Sequence, residues 1–267
     1  MVPGGDAGPA SSVIGLEGLT EFDAYLLVID GVPYGGAFNP QTPTLDLTDI
    51  DRIEVLRGSA PVSYGATSFV GVVQALHYQP GKQPTDALLQ GGTRASLHAA
   101  FASNLPRLGD IAQSIVASAE TRRTAQHRGG FDREHLIYRA ATDTGIGRAR
   151  FDLDATRLGQ SPYSPHPREG TGLTPRFSLD ANVNPTDARG DQDRLQAILG
   201  LTSKLGRVEW QTTASVTQTW SRNTRGYLRP DFGTDGITHN ADGFRQRIWT
   251  TDAYFDTHLS HKSAIFD

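Results

Sequence analysis

Three charged side chains, Arg52, Glu54 and Arg57, interrupt the strand-like run "RIEVLRG". Arg52 and Glu54 alternate with Ile53 and Val55, a period of two that sends charge to one face of a strand and apolar groups to the other. No obvious catalytic group accompanies them. A second pattern, "DLD", puts Asp152 and Asp154 on one strand face, where a carboxylate pair can bind metal or move a proton. Arg148 and Arg150 share their parity and can balance them, which favours plain interior charge. His166 in "HPREGTG" and His239 in "HNADG" stand alone in loop-like stretches and read as solvated. There is no nucleophile elbow, no phosphate-cradling Gly-Lys-Ser/Thr and no Cys/His metal spacing. No enzyme chemistry, metal or cofactor is expected.

Composition narrows the elements that hold these residues. The 267 residues are 37% hydrophobic, with 29 glycines, one methionine and no cysteine. That suits a turn-rich β chain and excludes disulfides and thiolate metal sites. No window carries the roughly 18 consecutive apolar residues of a membrane-spanning helix. A net charge of −4 gives no pull toward nucleic acid. The start, "MVPGGDAGPASSVIGLEGL", lacks the basic and apolar regions of a secretory signal, and residues 1–20 read as poorly ordered.

"AYLLVIDGVP" is an apolar run stopped by Asp-Gly and Pro, a buried strand entering a turn. In "TDIDRIEVLRG", Thr48 or Asp49 can cap one helical turn before a strand from Arg52. "SFVGVVQALHY" is the next strand, and Gln79–Asp86 reads as a linker. Beyond it, segments of weak period-2 alternation are expected at Thr85–Gly92, Arg94–Ser103, Ile111–Arg122, Arg133–Asp143, Arg148–Leu158, Arg194–Lys204, Arg207–Ser221 and Phe244–Ser260. Long and short connections alternate between them. An antiparallel up-and-down barrel of the outer-membrane kind has that asymmetry, with short turns on one rim and long loops on the other. A soluble β-sandwich or solenoid with irregular loops accommodates the same segments.

Over Arg207–Ser221, Val208, Trp210, Thr212, Ala214, Val216 and Trp220 share one parity, while Glu209, Gln211, Thr213, Ser215, Thr217 and Thr219 share the other. One face suits lipid and the other is polar. In the next segment Trp249, Ala253, Phe255 and Leu259 share a parity, less cleanly.

"VIDGVPYG" (Val28–Gly35) followed by "DLTDIDRIEVLRGSAPVSYGATSFVGVVQ" (Asp46–Gln74) resembles the plug domain of TonB-dependent outer-membrane receptors, over about the last half of a plug. The family's plug carries a Val-Asp-Gly-Val-Pro strand, then Ile-Glu-Arg-Ile-Glu-Val-Leu-Arg-Gly-Pro, a Tyr-Gly and Gly-Gly-Val-Ile-Asn-Ile. Here Ser59 replaces the usual proline, Val70 the first glycine of the pair, and Gln74 the asparagine. The resemblance implies an α+β plug fragment followed by antiparallel strands of an incomplete outer-membrane β-barrel, divided at residues 1–84 and 85–267. It implies that Arg52, Glu54 and Arg57 lie at the plug–barrel interface, Arg57 against wall glutamates, while Ile53, Val55 and Leu56 pack within the plug. Gly31, Gly58, Gly65 and Gly71 are expected where turns or close backbone approach exclude a Cβ.

The implied partners are the TonB complex of the inner membrane, a small-molecule cargo and outer-membrane lipid. A ferric siderophore is the commonest cargo of the family, with vitamin B12, haem and oligosaccharides open. The signal peptide, the TonB-contact motif and the first half of the plug are not found before Met1, and such transporters have about 22 strands, so the chain reads as a piece. Trp210, Trp220 and Trp249 are expected at the membrane interfaces. Ten residues separate the first two; at about 3.3 Å each and about 40° of tilt they stand about 25 Å apart along the membrane normal. A soluble β-rich binding or carbohydrate-active protein is the rival reading.

Overall fold

The computed structural model describes residues 2–3, 12–13, 25–35, 41–58, 70–162, 164, 168–173, 175, 178–182, 184, 187–226 and 243–261. Two residue pairs near the start, β1 (Val2–Pro3) and β2 (Ser12–Val13), join antiparallel. A four-stranded sheet follows: β3 (Tyr25–Ile29), β4 (Val32–Pro33), β5 (Ile50–Arg57) and β6 (Gly71–His77), in the order β4-β3-β6-β5. β3 and β6 run parallel and the other pairs antiparallel. The unbroken apolar run of β3 has its reason here, because both its faces are covered. Tyr25, Leu27 and Ile29 pack with Tyr34 and Ala75 on one side, and Leu26 and Val28 with Val72 on the other. Asp30 and Gly31 turn the chain with φ of 48° and 86°, the left-handed pair that suits Asp-Gly in a tight hairpin.

Two expectations in this sheet are corrected. Thr48 and Asp49 do not cap a helical turn. The Asp46 carboxylate accepts the backbone N–H and the hydroxyl of Thr48, making a local turn that competes with helix, and β5 starts at Ile50. The one helical turn among the described residues is a 3-10 turn at Thr42–Thr44. Ile53, Val55 and Leu56 do not pack within the sheet's core: they are 50%, 51% and 40% exposed, because β5 is the edge strand and only β6 flanks it among the described residues.

The second sheet holds β7 (Asp86–Gly91), β8 (Leu97–Leu108), β9 (Ile111–Arg123), β10 (Gly130–Thr144), β11 (Gly147–Ser161), β14 (Arg189–Leu205), β15 (Val208–Gly226) and β16 (Gly243–His261). It is open, entirely antiparallel and follows chain order. A small hairpin, β12 (Arg168–Glu169) and β13 (Gly172–Leu173), sits in the β11–β14 connection. All eight segments anticipated from sequence are strands, and most run longer. "NLPRLGD" is not wholly a connection: β8 continues through it to Leu108, with the register irregular between Leu105 and Leu108, where Pro106 lacks a donor for the ladder. Two-residue turns at Gly109-Asp110, Gly145-Ile146 and Gly206-Arg207 mark one rim, and the longer connections lie on the other.

The face toward the small sheet buries charged and polar side chains together with a few apolar ones such as Val116, Ile137 and Ile198, while most of the large side chains on the other face are apolar and exposed. On β10, His135 and Arg139 are buried while Leu136 is 47% exposed; on β15, Ser215, Thr217 and Thr219 are buried while Val216 is 49% exposed. A soluble sandwich buries its apolar face. This wall buries arginine and aspartate and shows leucine, valine and phenylalanine outward.

Candidate functional site

The described polar contacts between the small sheet and the wall converge on strands β9, β10, β11 and β14. They form a seam in which carboxylates of the small sheet, Asp30 and Asp46, meet bases of the wall that are themselves paired with wall carboxylates. At its centre, Arg139 of β10 reaches Asp30 in the β3–β4 turn (3.0 Å), Asp152 of β11 (2.9 Å) and the backbone oxygen of Tyr78 (2.7 Å). Arg150 adds a contact to Asp152 (3.0 Å) and donates to the Asp30 backbone oxygen (3.3 Å). On its other side Asp30 accepts the backbone N–H of His77 (3.0 Å) and meets its Nδ1 (2.7 Å), while His77 Nε2 lies 3.3 Å from Asp49.

A second cluster adjoins the first. Asp46 accepts a hydrogen bond from the Ser118 hydroxyl of β9 and lies 3.7 Å from His135 Nδ1. His135 Nε2 is 3.1 Å from Asp154, which also meets Arg194 of β14 at 3.4 Å. The Arg194 guanidinium lies 3.9 Å from the centre of the Tyr34 ring, whose hydroxyl donates to the Thr44 backbone oxygen. Arg133 donates to the Leu45 backbone oxygen and pairs with Glu120 (2.7 Å).

Burial and charge set the behaviour of the small sheet's acids. Burial would raise the Asp30 carboxyl, but His77 and Arg139 outweigh it and hold Asp30 well below the usual carboxylate range. Burial would also raise Asp46, but nearby His135 and the hydrogen bonds from Ser118 and Thr48 outweigh it and hold the carboxyl well below its usual range. Asp49 goes the other way. Burial raises it, and the pull of His77 and Arg139 does not fully compensate; its Oδ2 is buried without a hydrogen-bond partner.

The sequence-predicted residues fall elsewhere. Arg52 pairs with Asp51 (3.1 Å) and Glu54 (2.7 Å) on exposed β5, and Arg57 ends that strand, also exposed. Arg52 borders a polar cavity of about 1040 Å³ between the small sheet and β14–β16, opposite Tyr254, Asp256 and His258. Gly31 and Gly58 have φ of 86° and 92°; Gly71 opens β6, paired with Tyr25 and Arg57. Gly65, His166 and His239 lie outside the described residues. Trp210, Trp220 and Trp249 all have outward exposure, and Trp220 and Trp249 are direct partners across β15 and β16. The carboxylates of "DLD" face inward, as their interior-charge reading has it: Arg150 balances Asp152, whereas Arg148 pairs with Asp143. Sequence reasoning missed Asp30, Asp46, Asp49, His77, His135, Arg139 and Arg194. A usable signal was present on β10, where Arg133, His135 and Arg139 share one parity opposite Leu136 and Tyr138.

Residues 1–72 match the family model described as the TonB-dependent receptor plug domain. No curated protein matches the chain in sequence. Among solved structures, the siderophore receptor PiuA from Acinetobacter baumannii is 15% identical with a TM-score of 0.68, over 92% of this chain and 36% of that one. The ferric-catecholate import receptor Fiu from E. coli K12 is 16% identical with a TM-score of 0.67, over 92% of this chain and 40% of that one. The pyoverdine outer membrane receptor FpvA from Pseudomonas aeruginosa is 15% identical with a TM-score of 0.67, over 88% and 36%. The chain thus spans between a third and two fifths of the length of these receptors. Its first 72 residues match the TonB-dependent receptor plug domain, and the chain as a whole has the fold of the plug and adjoining barrel wall seen in these receptors.

Proposed function

We propose that the chain serves a TonB-dependent receptor of the outer membrane that takes up a ferric siderophore, with residues 1–84 as plug and 85–267 as the first strands of the barrel. Lipid covers the outward face, the TonB complex supplies energy by pulling on the plug, and no bond of the cargo is broken. The observation that carries this reading is the inside-out wall. Its buried face holds Arg139, Asp152, Asp154 and Arg194, while Leu153, Leu195, Leu199 and Phe255 are exposed on the other. That arrangement is stable where the outside solvent is hydrocarbon and the interior holds a polar plug. Arg52, Glu54 and Arg57 are assigned to the plug face opposite the seam, where β5 meets wall beyond β14. The siderophore assignment is supported by the cargoes of PiuA, Fiu and FpvA: a siderophore, a ferric catecholate and pyoverdine.

Deleting the gene from its host tests the cargo, and fractionating the undeleted host tests the location. In the deleted strain uptake of one ferric siderophore in iron-poor medium should be lost while others enter normally; in the parent strain the protein should sediment with outer membranes. Unchanged uptake across a siderophore panel overturns the cargo, and recovery of the protein in the soluble fraction overturns the location.

A further inference from the structure

His77 closes β6 with its side chain 6% exposed and both ring nitrogens against carboxylates. Nδ1 is 2.7 Å from Asp30 Oδ2 and Nε2 is 3.3 Å from Asp49 Oδ1. A neutral imidazole has one N–H and one bare lone pair, and an ionised carboxylate only accepts. Whichever tautomer is drawn, a neutral ring turns a lone pair toward one of the two oxygens. Only the doubly protonated ring donates to both.

The surrounding charges agree. Asp30 faces the ring from the β3–β4 turn and Asp49 from the turn before β5; Arg139 approaches from β10, and Arg150 and Asp152 complete the group from β11. Three carboxylates meet two guanidiniums. His135 and Asp154 of the adjoining cluster act from farther away and carry opposite charges when His135 is protonated. The central group is neutral only if it also holds one proton, on His77 or on Asp49. Free imidazole, at about 6.5, is far more basic than free carboxyl, at about 3.9, so the proton sits on the ring.

We propose that His77 is the proton-binding site of the plug–wall seam: one proton held there docks the Asp30 end of the plug against Arg139, and its departure leaves an unbalanced buried carboxylate and loosens that end. Burial alone would lower the imidazole, but Asp30 and then Asp49 outweigh it, and His77 is raised above its ordinary value. The sign follows. A raised histidine contributes stability that is fully present below about 6.5 and is lost as pH rises through the folded value. The seam is therefore tight on the acid side of the ring's folded value and loosens on the alkaline side of it. This goes beyond the siderophore reading and does not depend on it, since the test reads a proton and a distance, never uptake.

The full chain in lipid nanodiscs, labelled with ¹³C and ¹⁵N at histidine, reports the ring directly by NMR. The His77 ring should carry two N–H groups at pH 7 and titrate with a midpoint above 6.5. Spin labels on Val55→Cys and Leu136→Cys, both exposed and outside the clusters, read the plug–wall distance in a chain with no cysteine of its own. That distance should be single below the ring's midpoint and broaden above it. His77→Gln should be broad at every pH, and His77→Lys narrow through the same alkaline range. A His77 ring that is singly protonated at pH 7 overturns the proposal without any variant. So does His77→Gln with the parent's distance and the parent's pH response.

Discussion

Arg139 is the most heavily committed side chain of the seam, and replacing it by alanine gives a magnitude that can be worked from its contacts. The substitution removes a guanidinium that holds Asp30 at 3.0 Å, Asp152 at 2.9 Å and the Tyr78 backbone oxygen at 2.7 Å, all in buried surroundings. Arg150 remains near Asp152, but the two side chains Arg139 joins across the seam lose their shared cation. Removing one partner of a buried pair costs about 3–5 kcal/mol, because a charge is left uncompensated. At about 1.4 kcal/mol per tenfold, local opening becomes roughly 10²- to 4 × 10³-fold more frequent. The His77 amide is the reporter, since it donates to Asp30 Oδ1 at 3.0 Å. Hydrogen exchange by mass spectrometry or NMR should show that amide, and its neighbours at the end of β6, exchanging faster by that factor in Arg139→Ala. Amides of the β15–β16 ladder should keep their rates. Arg139→Lys should fall between, since a point charge cannot serve three acceptors in the planar geometry of the fork. Acceleration of less than threefold at His77, or equal acceleration along β15 and β16, would refute the claim that this cation holds the plug to the wall.

Acid should spare the seam to an unusual depth. Asp30 and Asp46 are both depressed in the folded state, so their contribution is present above about 3.9 and is lost only as pH falls through their lower folded values; a near-ultraviolet circular dichroism titration should show tertiary signal intact at pH 4. Tyr34→Leu keeps bulk but removes the ring face over Arg194 and the hydroxyl bond to Thr44, and should cost about 1–3 kcal/mol in a urea melt, more than Tyr34→Phe. Gly31→Ala forces a Cβ into a φ of 86° and should cost about 1–2 kcal/mol by the same melt, although no atom lies within 4 Å of that Cβ. In bilayers containing brominated lipids, Trp220 and Trp249, cross-strand partners, should be quenched at one shared depth and Trp210 in the opposite leaflet; different depths for the first two would break the strand register.

The wall was legible from sequence because its two faces differ in composition. Where apolar and polar side chains take alternate faces, alternation is visible, as in Thr213–Trp220. It fades where both faces are polar, which is why the strand ends were misplaced. β14 starts at Arg189, inside the fully polar "RGDQD", and β15 runs on past Ser221 through "RNTRG". The seam was less legible, for a different reason. Asp30 sits in an Asp-Gly pair whose turn propensity alone accounts for it, and its partners His77 and Arg139 come from remote segments. His77 ends a strand with nothing nearby in sequence to mark it as charged. Asp152 and Asp154 could be read as interior charge from parity, but not which bases they meet. Parity gives a face; pairing across a seam is a tertiary fact.

The connection between the two sheets, residues 78–85, has a consequence for any separation of the small sheet from the wall. This stretch is fastened to the wall at its middle: the Gln83 N–H donates to the Asn104 side chain at 3.1 Å, the Asn104 amide returns a bond to the Gln83 backbone oxygen at 2.7 Å, and a Cβ at Gly81 would lie 2.9 Å from that of Ala112. The free tether is thus shorter than the eight residues suggest. A short leash holds its cargo at an effective concentration in the millimolar range or above. Redocking of His77 and Asp30 onto Arg139 is then a search over a few ångströms, closer to the closing of a hinge than to an encounter between molecules. Any separation of the two sheets would carry its own return path.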